Sequence, residues 1–310
     1  MSRLDNTIAG KHLGQKSDYA EQYDPTLLVA VPRQPNRDNI GISADALPWK
    51  YAYDVWNCYE ISSLLSNGQP FSGVGKLVYS GNSKCIVESK SLKLYLNSFN
   101  QTRVQAETVI EGYRKLKDVI ENDLSKLLET EVRITITPSA HIIVQTLPLR
   151  DYFAIDNGHS LADFTNIDGY PTPDLTHYTE TPELLKVTPS EHIETICVHS
   201  SNLFSRCQIT NQPDHGDLFI AYRAKQKFIT LEDINAYVAS LRGHSCFHEP
   251  TVETIYKHLY DRLQPDFLMV GALYTRRGGI SIAPIRASHE HLVPFNVVNH
   301  HITHVKLPRE

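Results

Sequence analysis

Apolar residues recur at helical spacing over Val104, Val109, Ile110, Tyr113, Leu116, Ile120, Leu124 and Leu127, and again over Val252, Ile255, Tyr256, Leu259 and Leu263. Each series is the buried stripe of an amphipathic helix. A shorter helical stretch precedes each, at 92–99 and 231–241, the second behind a capping-box-like Thr230 and Asp233. Further upstream, Leu77 to Tyr79 with Ile86 and Val87, and Phe219 to Ala221 with Phe228 and Ile229, flank short polar turns and predict two hairpins. Strand-like runs close each half: 132–136 with 142–144, and 267–273 with 280–282. The predicted order is strand–strand–helix–helix–strand–strand, twice.

Three matches in one register point to duplication. Leu94-Tyr95-Leu96 aligns with Ala236-Tyr237-Val238 and Glu107 with Glu249, both at an offset of 142, and Gly68-Gln69-Pro70 aligns with Asn211-Gln212-Pro213 at 143. Residues 1–70 show little period, with 22–42 reading as an extended arm with turns, while the Pro-rich passage 151–190 reads as a linker. The expected division is therefore 1–150 (arm plus first module), 151–190 (linker) and 191–310 (second module).

The chain has 310 residues, which fits about two domains. Its 30 Lys+Arg against 35 Asp+Glu give a net charge of −5. That balance argues against a basic nucleic-acid-binding surface, so no direct nucleic-acid partner is expected. No apolar run approaches the roughly 20 residues of a membrane span, and the start carries no apolar signal core. A cytoplasmic protein with no membrane contact is the expectation. Five cysteines without a Cys-x-x-Cys make a disulfide framework or a Cys-rich zinc site a poor fit.

Against the repeat, the differences stand out. Leu64 aligns with Cys207 and Phe71 with Asp214, so one copy carries a thiol and a carboxyl where the other is apolar. Conversely, the first half holds Glu88-Ser89-Lys90-Ser91 and Lys93 where the second has Thr230-Leu231-Glu232-Asp233. A complete polar set needs both copies, at their junction or between chains. Cys207 could be an ordinary buried cysteine, but it lies in a polar turn beside Arg206, whose charge favours a thiolate. Asp214 could simply start a turn, and Glu249 could be a helix-start carboxylate. Ser89, Lys90 and Lys93 could be a solvated helix face or an anion site at a helix N-terminus. Arg276-Arg277-Gly278-Gly279 could be a plain turn, although paired guanidiniums and bare backbone suit a phosphate. Gly73-Val74-Gly75-Lys76 lacks what a dinucleotide fingerprint or a P-loop requires. The histidines at 289, 291, 300, 301 and 304 have no recognisable ligand spacing, and no metal is expected.

Glu88-Ser-Lys-Ser-Leu-Lys-Leu-Tyr95, Cys207 with Gln212-Pro-Asp214, Phe247-His-Glu249 and Arg276-Arg-Gly-Gly279 together resemble the signature motifs of the NADPH-dependent 7-cyano-7-deazaguanine reductases, two-module QueF type. The resemblance runs from about residue 13 to about 286. It implies an α+β fold of tandem tunnelling-fold modules, each an antiparallel four-stranded sheet with two helices on one face, and a homodimer. It implies reduction of a nitrile to an amine by two NADPH in queuosine synthesis, a tRNA modification, with a small-molecule deazaguanine as substrate. It further implies Cys207 as nucleophile and Asp214 as proton donor. Val87, Glu88, Ser89, His248 and Glu249 would hold the deazaguanine, and Ser89, Lys90, Arg277 and Gly278 would contact NADPH. Arg206 stands where the family often has Asn, and Ser281-Ile-Ala-Pro-Ile285 replaces the usual Asp-x-Asn-Pro-Trp. The rival readings are a zinc-dependent cyclohydrolase on a similar fold and a purine-binding module without chemistry.

Overall fold

Residues 51–64 alternate aromatic and β-branched side chains with Asp54 and Asn57, and in the computed structural model they form one long strand at the centre of the molecule. The structure describes residues 20–138, 144–146, 152–154, 176–191, 195–301 and 304–306. The first half contains β1 (Ala30–Pro32), α1 (Gln34–Asn39), β2 (Tyr51–Leu64), β3 (Pro70–Ser80), β4 (Cys85–Val87), α2 (Ser89–Asn97), α3 (Val109–Leu128) and β5 (Val132–Pro138). Three short strands follow: β6 (Val144–Thr146), β7 (Phe153–Ala154) and β8 (Val187–Pro189). The second half contains β9 (Thr195–Arg206), β10 (Pro213–Arg223), β11 (Lys227–Ile229), α4 (Leu231–Ser240), α5 (His248–Leu263), β12 (Phe267–Tyr274) and β13 (Ile280–Ala287), with α6 (Phe295–Val298) and β14 (His304–Lys306) behind it.

The long strands form one sheet in the order β5-β3-β2-β13-β12-β10-β9-β7. The second half contributes an antiparallel run of four, β13-β12-β10-β9, and the first contributes β5-β3-β2. The halves join through β2 and β13, paired from Tyr51↔Ala287 to Cys58↔Ile280. Pro284, which has no N–H, marks where β13 stops pairing with β12 while continuing along β2. Helices α2 and α3 bury their stripes in one core and α4 and α5 in another. The cores trade residues across the join: Ile280 and Ile282 belong to the first, and Ile42, Trp49 and Ala52 to the second. This is the α+β, tandem tunnelling-fold arrangement that the sequence implies.

The duplication extends to single bonds. Tyr79 Oη accepts from Val87 N, and Tyr222 Oη accepts from Ile229 N. Ser98 Oγ donates to Tyr95 O and accepts from Asp24 N; Ser240 Oγ donates to Tyr237 O and accepts from Thr181 N. Three expectations are corrected. Neither proposed hairpin exists, because β4 pairs with β1 and β11 with β8, segments that precede each repeat. Residues 22–42 are more than an extended arm, since they supply β1 and α1, and the stretch after them, for which no element is predicted, holds the central β2. The predicted fourth strand of the first half, 142–144, falls largely outside the described residues; its described end lies in β6, which pairs in parallel with β14.

At the join sits a buried ion cluster drawn from both halves. Arg33 pairs with Asp54, and Arg37 grips both oxygens of Glu253 at 2.8–2.9 Å. Arg286 reaches Asp54 Oδ1 at 2.9 Å and Glu253 Oε1 at 2.9 Å and is 0% exposed. Deleting one member of such a group strands a charge in low dielectric. Arg286→Met is expected to lower unfolding free energy by about 3–5 kcal/mol in urea melts, far more than a neutral substitution on the exposed face of α3.

Candidate active site

Four chain segments converge on one pocket beside the join. The β4–α2 junction brings Ile86, Val87 and Ser89, the β9–β10 turn brings Cys207 and Asp214, the start of α5 brings Phe247, His248 and Glu249, and the β12–β13 turn brings Arg277. Trp56 from β2 and Ile282 from β13 complete the lining, so both repeats contribute. Of the predicted residues, Val87, Ser89, Cys207, Asp214, His248, Glu249 and Arg277 meet here.

Local bonding fixes the thiol. Cys207 N donates to Gln212 O (2.9 Å) and Cys207 O accepts from Asn211 N (2.8 Å), with Asn211 at φ 55° closing the turn. The side chain is buried at 7% exposure. In the first half it is Leu65 whose N donates to Gln69 O, so Leu65, not Leu64, is the counterpart of Cys207. The Cys207 turn carries one residue more. Asp214 pairs with Ser205 across the ladder as Phe71 does with Ser63, as the repeat alignment expected. Asp214 Oδ1 accepts from Arg277 Nη1 at 2.6 Å, and its Oδ2 lies 3.4 Å from His248 Nε2. The His248 ring stacks on Tyr274 with centroids 3.8 Å apart, and burial lowers its basicity so that it stays neutral near pH 7. Arg206 instead lies over the Phe204 ring, and the cation whose field reaches both Cys207 and Asp214 is Lys93.

Glu249 differs from Asp214. It is 2% exposed, and its Oε1 is buried without a hydrogen-bond partner among the described residues. Burial pushes its acidity constant up to about 8, helped by the charge of Asp54 and opposed by Arg33 and Arg286. A buried acceptor left open in a pocket walled largely by Trp56, Ile86, Val87, Phe247 and Ile282 is suited to N–H donors of a ligand.

Some residues sit elsewhere than expected. The Glu88 carboxylate does not line the pocket; it caps α2, accepting from Lys90 N (2.9 Å) and Ser91 N (2.7 Å). Glu107 is exposed before α3 and its N–H bonds Glu111, so the similarity to Glu249 does not extend to the site. Neither Lys90 nor Gly278 is part of the lining. Lys93, absent from the predicted contacts, packs against Gly278: a Cβ there would come within 3.3 Å of its Nζ. Burial, then repulsion from Arg277, lowers the Lys93 ammonium's affinity for its proton. Two crowded cations beside a bare Gly278-Gly279 turn, at φ 58° and 81°, fit a phosphate-bearing group. Trp56 and Ile282 are reached by topology rather than by motif, whereas Phe247 and Lys93 lie within motifs read from the sequence. The departure at 281–285 lies on the join, where Ser281 bonds Asn57 and Tyr59.

The Glu249 acidity has a stability consequence. The folded value, near 8, exceeds the ordinary 4.5, so the folded state holds a proton the unfolded chain releases. Stability therefore falls as pH rises from about 4.5 to about 8. Glu249→Gln is expected to melt progressively higher than the parent protein across that window, with the gap levelling off above pH 8 in thermal scans.

The sequence pattern described as "Nitrile reductase, 7-cyano-7-deazaguanine-reductase N-term" matches residues 19–136, and that of the "QueF-like protein" matches residues 213–292. An NADPH-dependent 7-cyano-7-deazaguanine reductase of Legionella pneumophila (strain Lens) is 37% identical over 284 residues, 91% of each chain. One from Rickettsia massiliae (strain Mtu5) is 37% identical over 279 residues, 89% of this chain and 92% of its own. A solved structure, the archaeosine synthase QueF-Like in the apo form, covers 33% of this chain and 95% of its own at 18% identity, with a TM-score of 0.28. With both patterns matched, and that identity held along nine-tenths of its length, the chain belongs to the NADPH-dependent 7-cyano-7-deazaguanine reductase family.

Proposed function

We propose that this reductase converts the nitrile of 7-cyano-7-deazaguanine to the primary amine through a covalent thioimide on Cys207. The observation that carries the reading is the meeting of the thiol, the Asp214 carboxylate and the open Glu249 carboxylate in one pocket built by both repeats. A nitrile carbon accepts hydride poorly, and adding a thiolate to it divides the work into easier steps. The Cys207 sulfur attacks the carbon while its proton travels through Asp214 to the nitrogen, which leaves a neutral thioimide. Arg277 and His248 hold Asp214 in place for that transfer.

Two molecules of NADPH, bound in turn, would supply one hydride each to take the thioimide to the amine. The residues that would hold each are Ser89, Lys93 and Arg277 with the Gly278 backbone, and Lys90 at the same helix start. The first hydride would add to the thioimide carbon, the C–S bond then breaks, and the Cys207 thiolate leaves an imine. The second hydride would add to the imine carbon while a proton from solvent passes through Asp214 to the nitrogen, giving the amine. Glu249 accepts from the amide and amine N–H edge of the base, and Phe247, Trp56 and Ile282 enclose its ring.

The finer biological setting is a cytoplasmic homodimer acting on a free base. No helix among the described residues is long and apolar enough to cross a membrane. In support of pairing between copies, β5 bonds β3 alone among the described strands, leaving a sheet edge for a second chain.

Cys207→Ala is expected to lose turnover by at least about a thousandfold and to lose the substrate adduct in intact-protein mass spectra. An adduct on another cysteine overturns the mechanism. In a second test, Lys90→Ala combined with Arg277→Ala is expected to raise KM for NADPH about tenfold or more, with a smaller change in KM for the nitrile. An unchanged NADPH constant overturns the cofactor assignment.

A further inference from the structure

Behind the pocket, the ion cluster at the join holds three guanidiniums, Arg33, Arg37 and Arg286, against two carboxylates, Asp54 and Glu253. Glu253 lies one helical turn after Glu249 on α5, so the two carboxylates share a face. Arg33, one residue before α1, is 2% exposed and carries the one guanidinium nitrogen of the three that is buried without a hydrogen-bond partner among the described residues, Nη1. That nitrogen lies 3.8 Å from Glu253 Oε1. One turn away Glu249 Oε1 is also buried without a hydrogen-bond partner among the described residues, and Arg33 and Glu249 feel each other's charge.

Among the other groups that face Glu249, Arg286 of β13 also favours its charged form, but its nitrogens are engaged elsewhere, by Asp54 and Glu253. Asp54 of β2 repels the Glu249 charge. Tyr79, Tyr274 and Cys246 are held uncharged by burial. With Glu249 ionised, three cations meet three anions and the cluster is neutral.

Resting on the reading of Glu249 as the acceptor for the base, we propose that Arg33 is a positioning residue for substrate. Its guanidinium, locked between Asp54 and Glu253, supplies the charge that lets Glu249 receive the nucleobase as an oriented carboxylate. A segment that precedes the first repeat thus sets recognition in a pocket whose acid comes from the second. Asp54 acts in the opposite sense, as the carboxylate that opposes Glu249 ionisation.

The test measures equilibrium binding of 7-cyano-7-deazaguanine from pH 6 to pH 9.5 in full-length Cys207→Ala protein, which forms no adduct. Affinity is expected to rise with pH as Glu249 ionises. Arg33→Met is expected to weaken binding at pH 7 about tenfold and to move the midpoint up by about one pH unit, the equivalent of a tenfold change. Asp54→Asn is expected to move it down. Should Arg33→Met fail to fold, Arg33→Lys, which keeps the charge, is expected to leave the midpoint in place. Shifts of the same sign in Arg33→Met and Asp54→Asn, no shift in either, or an upward shift in Arg33→Lys, overturn the role of Arg33. Glu249→Gln binding the base as tightly as the parent, with the same pH profile, overturns instead the reading of Glu249 on which the proposal rests.

Discussion

The pairing of β2 with β13, and the buried ion cluster behind it, is the constraint from which the rest of the molecule follows. The two strands are the only link within the sheet between the repeats among the described residues, and every other strand is placed outward from them. Asp54 lies on β2, Arg286 on β13, Glu253 on α5 and Arg37 on α1, so a shift of one register step would separate charges that have no water to retreat to. The cluster therefore works as a registration device, while the exchange of Ile280, Ile282, Trp49 and Ala52 between the cores supplies the apolar gain. Trp56 and Ile282, opposite each other on the same two strands, line the catalytic pocket. What aligns the repeats also shapes the site.

Duplication explains how one chain holds a divided chemistry. In each repeat, a segment ahead of the first long strand is fastened to the helices by a tyrosine. Tyr95 and Tyr23 both donate to Asp123, and in the second half Tyr237 bonds His258, which faces Glu180. The frame is the same although the polar partners have been exchanged. The first repeat fills its turn with Leu65 and Phe71, and Glu88 caps α2 as Thr230 caps α4 in the second. Cys207 and Asp214 survive only where β9 and β10 face the other repeat's Val87 and Ser89.

The parts legible in the sequence were those with local causes. Helical stripes, the cap at Thr230 and the four motifs each depend on residues a few positions apart. The rest depended on partners far along the chain. Strand β2 was hidden because Asp54 and Asn57 interrupt its alternation, and both are buried only because Arg33, Arg286 and Ser281 meet them. The hairpins failed for the same reason, since Val87 finds its partner at Ala30 and Ile229 at Val187. Lys93 and Trp56 belong to patterns that look like ordinary helix and strand, and only the fold turns them toward Cys207 and the pocket.

Two carboxylates within one pocket face opposite situations, and that difference divides the labour. Asp214 has both oxygens engaged, one on Arg277 and one facing His248, so it is held in one orientation in the pocket that Cys207 also lines, which suits the proton transfer proposed for it. Glu249 has an oxygen facing no donor, in surroundings that resist its charge. Such a group destabilises the free protein at neutral pH, and the loss is recovered only when a ligand brings N–H groups to it. A base lacking those donors would leave the carboxyl stranded, so discrimination comes from the cost of an unmade bond rather than from the strength of a made one.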